Sequence, residues 1–381
     1  MKELTYSNLK QLKPNSYILI DTRDSGSILY GMIPGAIHIA EQELYANLVR
    51  YAKEFDPQKD VILYCQRGVR SINLAEAFEE QGRECCSLSG GYLAYLRDTV
   101  SSDKQSSEIQ PKAENSIRRK YHKQLFTPFA KACKQYQLIR EGDHIAVCIS
   151  GGKDSMLMAK LFQEIRTHRQ VNFDLTFLVM DPGYNADNRS LIEHNARSLG
   201  IPITIFESSI FDAVDTVEKN PCYLCARMRR GYLYSKAKEL GCNKIALGHH
   251  YDDVIETILM GMLHGGQVQT MMPKLHSTNF EGMELIRPMY LIREADICKW
   301  RDYSELYFLQ CACHFTETCT TCHEDGTTSS KRLETKKLIA ELKKTNPQVE
   351  ANIFNSVSNV NLSNVIAYKE DGVKHHFLDS Y

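Results

Sequence analysis

The stretch CISGGKDS, from Cys148 to Ser155, brings together residue types that bind phosphate. It follows an apolar run and precedes a segment with helical spacing, so its backbone amides are expected at a helix N-terminus, where anions are stabilised. Two glycines permit close backbone approach, and one lysine and two serines can hold phosphate oxygens. The pattern departs from G-x-x-x-x-G-K-[ST], because it lacks the upstream glycine and has Asp154 after the lysine. We expect a phosphate loop of a less common type, formed by Ser150, Gly151, Gly152, Lys153, Asp154 and Ser155.

A second group of polar residues lies in GHHYDDVIET, which begins with Gly248 and His249 directly after a strand-like run. Three carboxylates follow in its helix-like part: Asp252, Asp253 and Glu256. Clustered carboxylates suit Mg²⁺ held against phosphates, although acidic residues are also common in the first turn of a helix. The preceding strand end favours the metal interpretation. Asp181, which ends TFLVMD, is expected to face the same cleft.

The chain has thirteen cysteines and no apolar signal-peptide core at its N-terminus, which favours metal binding or sulfur chemistry over disulfides. Cys222 and Cys225 form a C-x-x-C in PCYLCARMRR, a motif shared by zinc sites, redox pairs and iron–sulfur clusters. Four more cysteines lie in QCACHFTETCTTC: Cys311, Cys313, Cys319 and Cys322. They either form a zinc site alone or complete a site with the first pair. Isolated cysteines in periodic segments are expected to be buried thiols: Cys133, Cys148, Cys242 and Cys298.

Two further sets of residues could carry chemistry. In YCQRGVRS, Cys65 ends a strand-like run and a helix follows, so the loop amides and two arginines would stabilise a thiolate. A buried strand cysteine beside surface arginines is the alternative. After the C-x-x-C, Arg229 and its neighbours Arg227 and Arg230 follow in helical register and face either phosphates or solvent.

The elements that position these residues alternate between strand and helix patterns, which predicts an α/β fold with parallel sheets. We place a first domain at residues 1–100, a polar linker at 101–116 and a second domain at 117–381. In the second domain HIAVCIS, DLTFLVMD, ITIFES and KIALGHH read as parallel strands of a doubly wound sheet. Ligands of such sheets bind at the carboxyl ends of the strands, where the polar residues above are found.

Composition limits the classes of function. The 46 basic and 47 acidic residues nearly cancel, so no global field favours nucleic acid. No apolar run is long enough to span a membrane, and we expect a cytoplasmic protein without a membrane partner. One local stretch is basic with interleaved aromatic residues, SIRRKYHKQLFTPFAKACKQYQLIR at 116–140. It either follows a phosphate backbone or packs on the sheet as an amphipathic helix, and both can hold on different faces.

The first domain resembles the single-domain rhodanese family in three stretches, DTRDSGSILYGMIPGAIHI, VILYCQRGVRS and LSGGYLAYL. The resemblance implies a sulfurtransferase fold in which Cys65 carries a persulfide cradled by residues 66–71. It also implies that Asp21 and Arg23 shape the pocket. The tryptophan that usually follows GGY in the family is absent here, and Tyr95 lies nearby in the sequence.

The second domain resembles the PP-loop pyrophosphatase superfamily through SGGKDS, which implies that ATP is split between its α- and β-phosphates. SGGKDS, PCYLCARMRR and GHHYDDVIET together resemble the tRNA 2-thiocytidine synthetase family over residues 117–366. This implies a 4Fe-4S cluster on three cysteines, with one iron open to sulfur. Cys222 and Cys225 match directly, and Cys313 is preferred as the third ligand, with Cys311 next.

The resemblance implies an ATP-dependent thiolation of a tRNA pyrimidine, cytidine 32 in the first instance. Asp154 and Asp253 would organise Mg²⁺, and Arg229 or Lys153 would neutralise charge on the leaving pyrophosphate. Cys65 would relay sulfur from a cysteine desulfurase or another donor across a flexible linker, and a homodimer is possible. Two alternatives remain open at this point. One is a PP-loop enzyme acting on a tRNA uridine or a small molecule, and the other is a sulfur-carrier or metal-binding module without nucleotide chemistry.

Overall fold

The computed structural model describes residues 2–25, 27–101, 106–208, 210, 221–304, 306, 308 and 331–381. The chain divides into two compact units. The first consists of the described parts of 1–250 and 273–327, and the second of the described parts of 251–272 and 328–381. None of the helices in these described ranges is both long and apolar enough to cross a membrane.

The first unit begins with a five-stranded parallel sheet of order β1-β5-β4-β2-β3. Its strands are β1 (Lys2–Leu4), β2 (Tyr17–Asp21), β3 (Ile37–His38), β4 (Asp60–Tyr64) and β5 (Cys85–Leu88). The helices around it are α1 (Tyr6–Leu9), α2 (Glu41–Ala46), α3 (Leu48–Glu54), α4 (Val69–Glu80) and α5 (Gly91–Ser101), with a 3₁₀ turn at Ser27–Tyr30. Apolar residues of β4 are buried on both faces, as a covered parallel sheet requires.

The second sheet of this unit has six strands in the order β10-β11-β9-β6-β7-β8, parallel except for the β10–β11 pair. The strands are β6 (His144–Ile149), β7 (Asp174–Asp181), β8 (Ile203–Glu207), β9 (Lys244–Ala246), β10 (Lys274–His276) and β11 (Glu284–Ile286). Its helices are α6 (Ser106–Asn115), α7 (Thr127–Gln135), α8 (Lys153–Thr167), α9 (Ala186–Ser198), α10 (Pro221–Glu239) and α12 (Glu294–Ser304), with π-helical segments at Ser116–Lys120 and His122–Phe126. The predicted α/β class is confirmed.

The chain order of the second sheet creates a crevice. From β6 the chain proceeds outward through β7 and β8, and it then returns to place β9 on the opposite side of β6. The loops that leave β6 and β9 at their carboxyl ends therefore lie side by side where the strand order reverses, and ligands of doubly wound sheets bind at this switch point. The loop after β6 is residues 150–152, and the loop after β9 is residues 247–250.

The polar stretch between the two sheets is helical over α6 in its described part. Ala113 of α6 is fully buried, and a side chain added at Gly200 would collide with Gln110. In addition, Arg97 of α5 forms an ion pair of 2.6 Å with Asp187 of α9. The described part of the predicted linker is thus packed rather than irregular, and the domain boundaries at residues 100 and 116 stay a prediction.

The second unit contains α11 (Tyr251–Gly265), α13 (Lys331–Thr345), α14 (Val349–Ser356) and the antiparallel hairpin of β12 (Ala367–Glu370) and β13 (Val373–His376), with 3₁₀ turns at Leu362–Asn364 and Phe377–Ser380. The sequence Asp371-Gly372 makes the hairpin turn, since both residues adopt the positive φ that a tight two-residue turn needs. Tyr251 of α11 stacks on Phe354 of α14 at 4.4 Å between ring centroids.

Candidate active site

The loop after β6 is closed by a serine. The Ser155 hydroxyl accepts hydrogen bonds from the backbone amide of Ser150 at 3.2 Å and from its hydroxyl at 3.3 Å. The same hydroxyl donates to the Gly152 carbonyl oxygen at 3.0 Å. Gly151 has φ +83°, a left-handed conformation that glycine adopts without the steric cost of a Cβ. The six residues predicted from SGGKDS therefore form one compact turn at the N-terminus of α8.

Lys153 is almost completely buried, with 1% of its surface exposed. Its ammonium nitrogen lies 3.2 Å from Asp154 Oδ2 and 3.3 Å from Glu294 Oε1. Two carboxylates thus balance one buried charge at the head of the phosphate loop. The sequence interpretation missed Glu294, because a glutamate at the start of a helix looks like ordinary first-turn capping.

The loop after β9 packs directly on the phosphate loop. A Cβ placed on Gly248 would lie 3.3 Å from the Ser155 nitrogen and 3.4 Å from the Asp154 carbonyl carbon, so glycine permits this close approach. The buried His250 ring brings Nε2 to 4.0 Å from Asp154 Oδ1, a contact that the sequence analysis did not foresee. His249, which was predicted, is half-buried in the same loop.

Asp181 lies at the end of β7, the other neighbour of β6. Its Oδ1 accepts backbone hydrogen bonds from Gly183 at 2.9 Å and Tyr184 at 2.7 Å, and Arg189 donates to Oδ2 at 3.1 Å. These bonds hold the turn that follows β7. Asp181 is therefore already engaged by three donors, and its assignment to nucleotide binding stays a prediction.

Asp253 lies in the second unit, on α11. Its Oδ1 accepts a hydrogen bond from Arg332 of α13, and the same guanidinium lies 3.7 Å from the buried Glu256 carboxylate. A resident arginine thus pairs with two of the carboxylates at which the sequence predicted Mg²⁺, and Arg332 was not foreseen. Within the described ranges, no group of three or more His, Cys, Asp or Glu side chains has the geometry of a metal site.

Cys222 and Cys225 fall in the first turns of α10, which begins at Pro221. Positions three apart share one face of a helix, and proline is favoured at the first helical position. Arg229 is half-buried further along α10. Cys313 and the three alternative ligands lie outside the described residues: Cys311, Cys319 and Cys322.

Three of the four isolated cysteines are buried, as their spacing indicated. Cys133, Cys148 and Cys242 are buried, and Cys298 is half-buried. Burial raises the pKa of Cys148 to about 12. Such thiols stay protonated near neutral pH and are poor nucleophiles.

The first sheet presents Cys65 at the end of β4, inside a loop of backbone amides. Its Sγ accepts the Gly68 N–H at 3.2 Å and lies 3.6 Å from the Ser71 hydroxyl, which the Ser87 hydroxyl contacts at 2.9 Å. The N-terminus of α5 fixes the same loop, since the Tyr92 amide donates to the Cys65 carbonyl oxygen at 2.9 Å. The sulfur therefore sits among donors that stabilise negative charge.

A buried ion pair supports this loop. The Arg23 guanidinium binds Asp21 through two nitrogens, at 2.9 and 2.6 Å, and lies 3.8 Å from the centroid of the Tyr92 ring. Its Nη1 also donates to the Gln66 side chain at 3.4 Å. Tyr64 donates its hydroxyl hydrogen to Asp21 at 2.8 Å, and burial raises the Tyr64 pKa above its usual range. Asp21 and Arg23, which the rhodanese resemblance implies for the pocket, thus form an ion pair whose arginine contacts Gln66, the residue next to Cys65.

Comparison with known proteins assigns the two sheets. The PP-loop domain matches residues 118–312, and the rhodanese-like domain matches residues 5–98. Two proteins named tRNA-cytidine(32) 2-sulfurtransferase are similar over the later part of the chain. The one from Coxiella burnetii is 34% identical over 66% of this chain and 95% of its own length. The one from Anaeromyxobacter dehalogenans strain 2CP-C is 32% identical over 62% of this chain and 79% of its own length.

The chain belongs to the tRNA 2-thiocytidine synthetase family of PP-loop enzymes. The family predicted from the sequence motifs is confirmed, and it is a family of sulfur-transferring enzymes. Among solved structures, the U34-tRNA thiolase NcsA from Methanococcus maripaludis with its [4Fe-4S] cluster is 23% identical over 61% of this chain and 76% of its own, with a TM-score of 0.48. A rhodanese-like domain protein from Staphylococcus aureus is 26% identical over 25% of this chain and 91% of its own, with a TM-score of 0.23.

Proposed function

We propose that this chain is a cytoplasmic, ATP-dependent tRNA sulfurtransferase that adenylates a pyrimidine, cytidine 32, and replaces its C2 oxygen with sulfur. One observation carries the proposal: the loops after β6 and β9 meet through Gly248, at the switch point where a nucleotide binds. The curated relatives named above supply the substrate and the position of the base.

The phosphates of ATP would lie against the amides of residues 150–155, at the N-terminus of α8. The C2 carbonyl oxygen attacks the α-phosphorus, and the bond to the bridging oxygen breaks, so the electron pair leaves with pyrophosphate. Lys153, a buried cation at this point, stabilises the charge that develops on the leaving group. A sulfur nucleophile then adds at C2, and AMP departs with the former carbonyl oxygen as a proton is released.

Asp154 is the carboxylate best placed to hold Mg²⁺ beside these phosphates. Its Oδ2 contacts Lys153, whereas its buried Oδ1 receives no hydrogen bond from any described residue. An oxygen buried in this way gains from coordinating a cation. Asp253 and Arg229 stay assigned from the sequence alone.

Cys222 and Cys225, with Cys313 as the proposed third ligand, would hold a 4Fe-4S cluster that keeps a sulfur atom nucleophilic near the base. The shared helix face of the first two positions fits this arrangement. Cys65 would take the outer sulfur of a persulfide donor, such as a cysteine desulfurase, as the donor thiolate leaves. The Gly68 amide and the Ser71 hydroxyl at Sγ would stabilise the anionic sulfur.

The experiment uses protein purified without oxygen, unmodified tRNA, ATP and sulfide. We expect 2-thiocytidine at position 32, with AMP and pyrophosphate formed in equal amounts, by nucleoside and nucleotide chromatography. Asp154→Asn should lose most of the product, whereas Asp174→Asn, which alters a carboxylate with 76% of its side chain exposed, should not. A nucleoside profile without any thiolated base, and no AMP above background, contradicts the proposal.

The relay through Cys65 needs a separate comparison. With a persulfide donor in place of sulfide, Cys65→Ser should abolish thiolation, because the oxygen of serine cannot carry the transferred sulfur. The same variant should thiolate at the normal rate when sulfide is supplied. If the variant and the unaltered protein are equally active with both sulfur sources, Cys65 does not carry the transferred sulfur.

A further inference from the structure

The helical segment 116–135 has two different faces. Its apolar residues are buried against the unit: Ile117, Tyr121, Leu125, Phe126, Phe129, Ala132 and Cys133. Its cations are exposed: Arg118, Arg119, Lys120, Lys123, Lys131 and Lys134. No acidic residue occurs between Ser116 and Arg140, in a chain whose formal net charge is −1. An ordinary solvated helix face carries charges of both signs, and this face does not.

Four of these six cations have no anionic neighbour in the part of the chain that the structure describes. Within the described residues no carboxylate lies within ion-pair distance of Arg119, Lys123, Lys131 or Lys134. Arg119, Lys123, Lys131 and Lys134 are exposed whereas the apolar residues between them are buried, so the four cations lie on the solvent side of the segment. The two π-helical segments precede α7 within this stretch, and such irregular turns often mark functional sites.

Helix α12 links this face to the phosphate loop. Its first residue, Glu294, contacts Lys153, and the Lys299 carbonyl oxygen accepts a hydrogen bond from Tyr121 at 3.1 Å. Near its end, the Tyr303 ring holds the Lys120 ammonium 3.7 Å from its centroid. Nine residues of helix correspond to roughly 14 Å. The exposed cations of 116–135 therefore start close enough to the phosphate loop for a few nucleotides to span the distance, and the base would be activated at that loop.

We propose that the exposed cations of 116–135 bind the phosphate backbone of the tRNA substrate and hold the target base at the phosphate loop. This inference rests on the proposed function, which supplies the tRNA. Arginine and lysine side chains without carboxylate partners are the groups that neutralise phosphates, and their number sets the salt dependence of binding.

The test compares two variants that each lose three positive charges. The first changes Arg119, Lys123 and Lys131 to Gln, and the control changes the exposed Lys13, Lys53 and Lys369 to Gln. Binding of unmodified tRNA is measured by fluorescence anisotropy at several salt concentrations. Each lost phosphate contact lowers the slope of log K against log salt by about 0.7 to 0.9. We expect a decrease of about 2 to 3 for the first variant and none for the control, with unchanged stabilisation of both by ATP.

Each of the other possible results of this experiment refutes a specific part of the proposal. Equal tRNA affinity and equal slope for the two variants overturn the proposed surface. If the first variant binds tRNA normally but loses sulfur transfer only from a protein donor, the face binds a protein and the inference is wrong. If the unaltered chain itself binds no tRNA, the proposed function fails together with the surface.

Discussion

Gly91 offers a direct test of how the Cys65 loop is built. It begins α5 with φ +55°, and a Cβ placed on it would lie 2.3 Å from the Cys65 carbonyl oxygen and 2.6 Å from the Gly68 nitrogen. Both neighbours are backbone atoms, so Gly91→Ala must displace the loop itself. The Gly68 N–H, which donates to the Cys65 sulfur at 3.2 Å, is then no longer correctly aimed.

A second glycine with a positive φ serves as the reference for the expected loss of stability. Gly82 also has a positive φ, +79°, but a Cβ there meets no atom within 4 Å. Gly82→Ala therefore costs only the left-handed conformation, about 1 to 2 kcal/mol. Gly91→Ala adds overpacking against backbone, typically about 1 to 3 kcal/mol more. We therefore expect the free energy of unfolding of Gly91→Ala to be about 1 to 3 kcal/mol lower than that of Gly82→Ala.

The functional assay is transfer of sulfur from thiosulfate to cyanide, measured as thiocyanate, together with the persulfide content of Cys65. Gly82→Ala should keep the normal rate at a temperature where it is folded. Gly91→Ala should lose at least tenfold under the same conditions, because the amide cradle no longer stabilises the sulfur anion. A normal rate in Gly91→Ala, or an equal loss in both variants, would show that the cradle geometry is not what supports the transfer.

Three more expectations concern other positions. Gly248→Ala should raise the KM for ATP several-fold, because the added Cβ would force the loops after β6 and β9 apart. As a control, Gly231→Ala lies in a helix with open space around it, so it should leave the KM unchanged and stabilise α10 by up to about 1 kcal/mol. Glu294→Gln removes one of the two carboxylates that contact the buried Lys153 ammonium, so the melting temperature of the nucleotide-free protein should fall. Binding of a non-hydrolysable ATP analogue should restore the melting temperature, because its phosphates replace the lost negative charge. Burial raises the pKa of Cys85 to about 12, so the folded protein keeps a proton that the unfolded chain loses above about pH 9. The Cys85 thiol alone should therefore lower the free energy of unfolding by up to about 1.4 kcal/mol per pH unit above pH 9. The decrease with pH should be shallower in Cys85→Ala and should keep its slope in Cys86→Ala, as measured by denaturant unfolding.

Strands β6 to β9 of the second sheet could be predicted because apolar runs that end in polar residues have one stable placement, buried between helices, whereas the short β10 and β11 were not identified. HIAVCIS and KIALGHH are examples of this pattern, and strands lie within both. Parallel strands also bring their carboxyl ends to one edge, so the sequence predicts that SGGKDS and Gly248 lie in one cleft. Local pattern and sheet topology together were enough for this part of the site.

The charge partners could not be predicted in the same way. Glu294 lies 141 residues from Lys153 in the sequence, and Arg332 lies 79 residues from Asp253. Each of these residues has an adequate local explanation as a helix-terminal or solvated charge, so nothing in its own segment indicates the distant contact. The packed α6 was missed for a similar reason. A polar sequence containing Pro111 reads as a linker until Ala113 is buried by a neighbouring element.

The two sites differ in what a ligand must displace. At Cys65 the sulfur already accepts an amide hydrogen bond, and Arg23 is held by Asp21, so an added sulfur atom meets donors that are in place. At the phosphate loop, Lys153 is neutralised by Asp154 and Glu294. Phosphate must therefore compete with carboxylates for this ammonium. Glu294 begins α12, and the same helix carries Tyr303, whose ring holds the Lys120 ammonium, so one helix joins the phosphate loop to the exposed cations of 116–135.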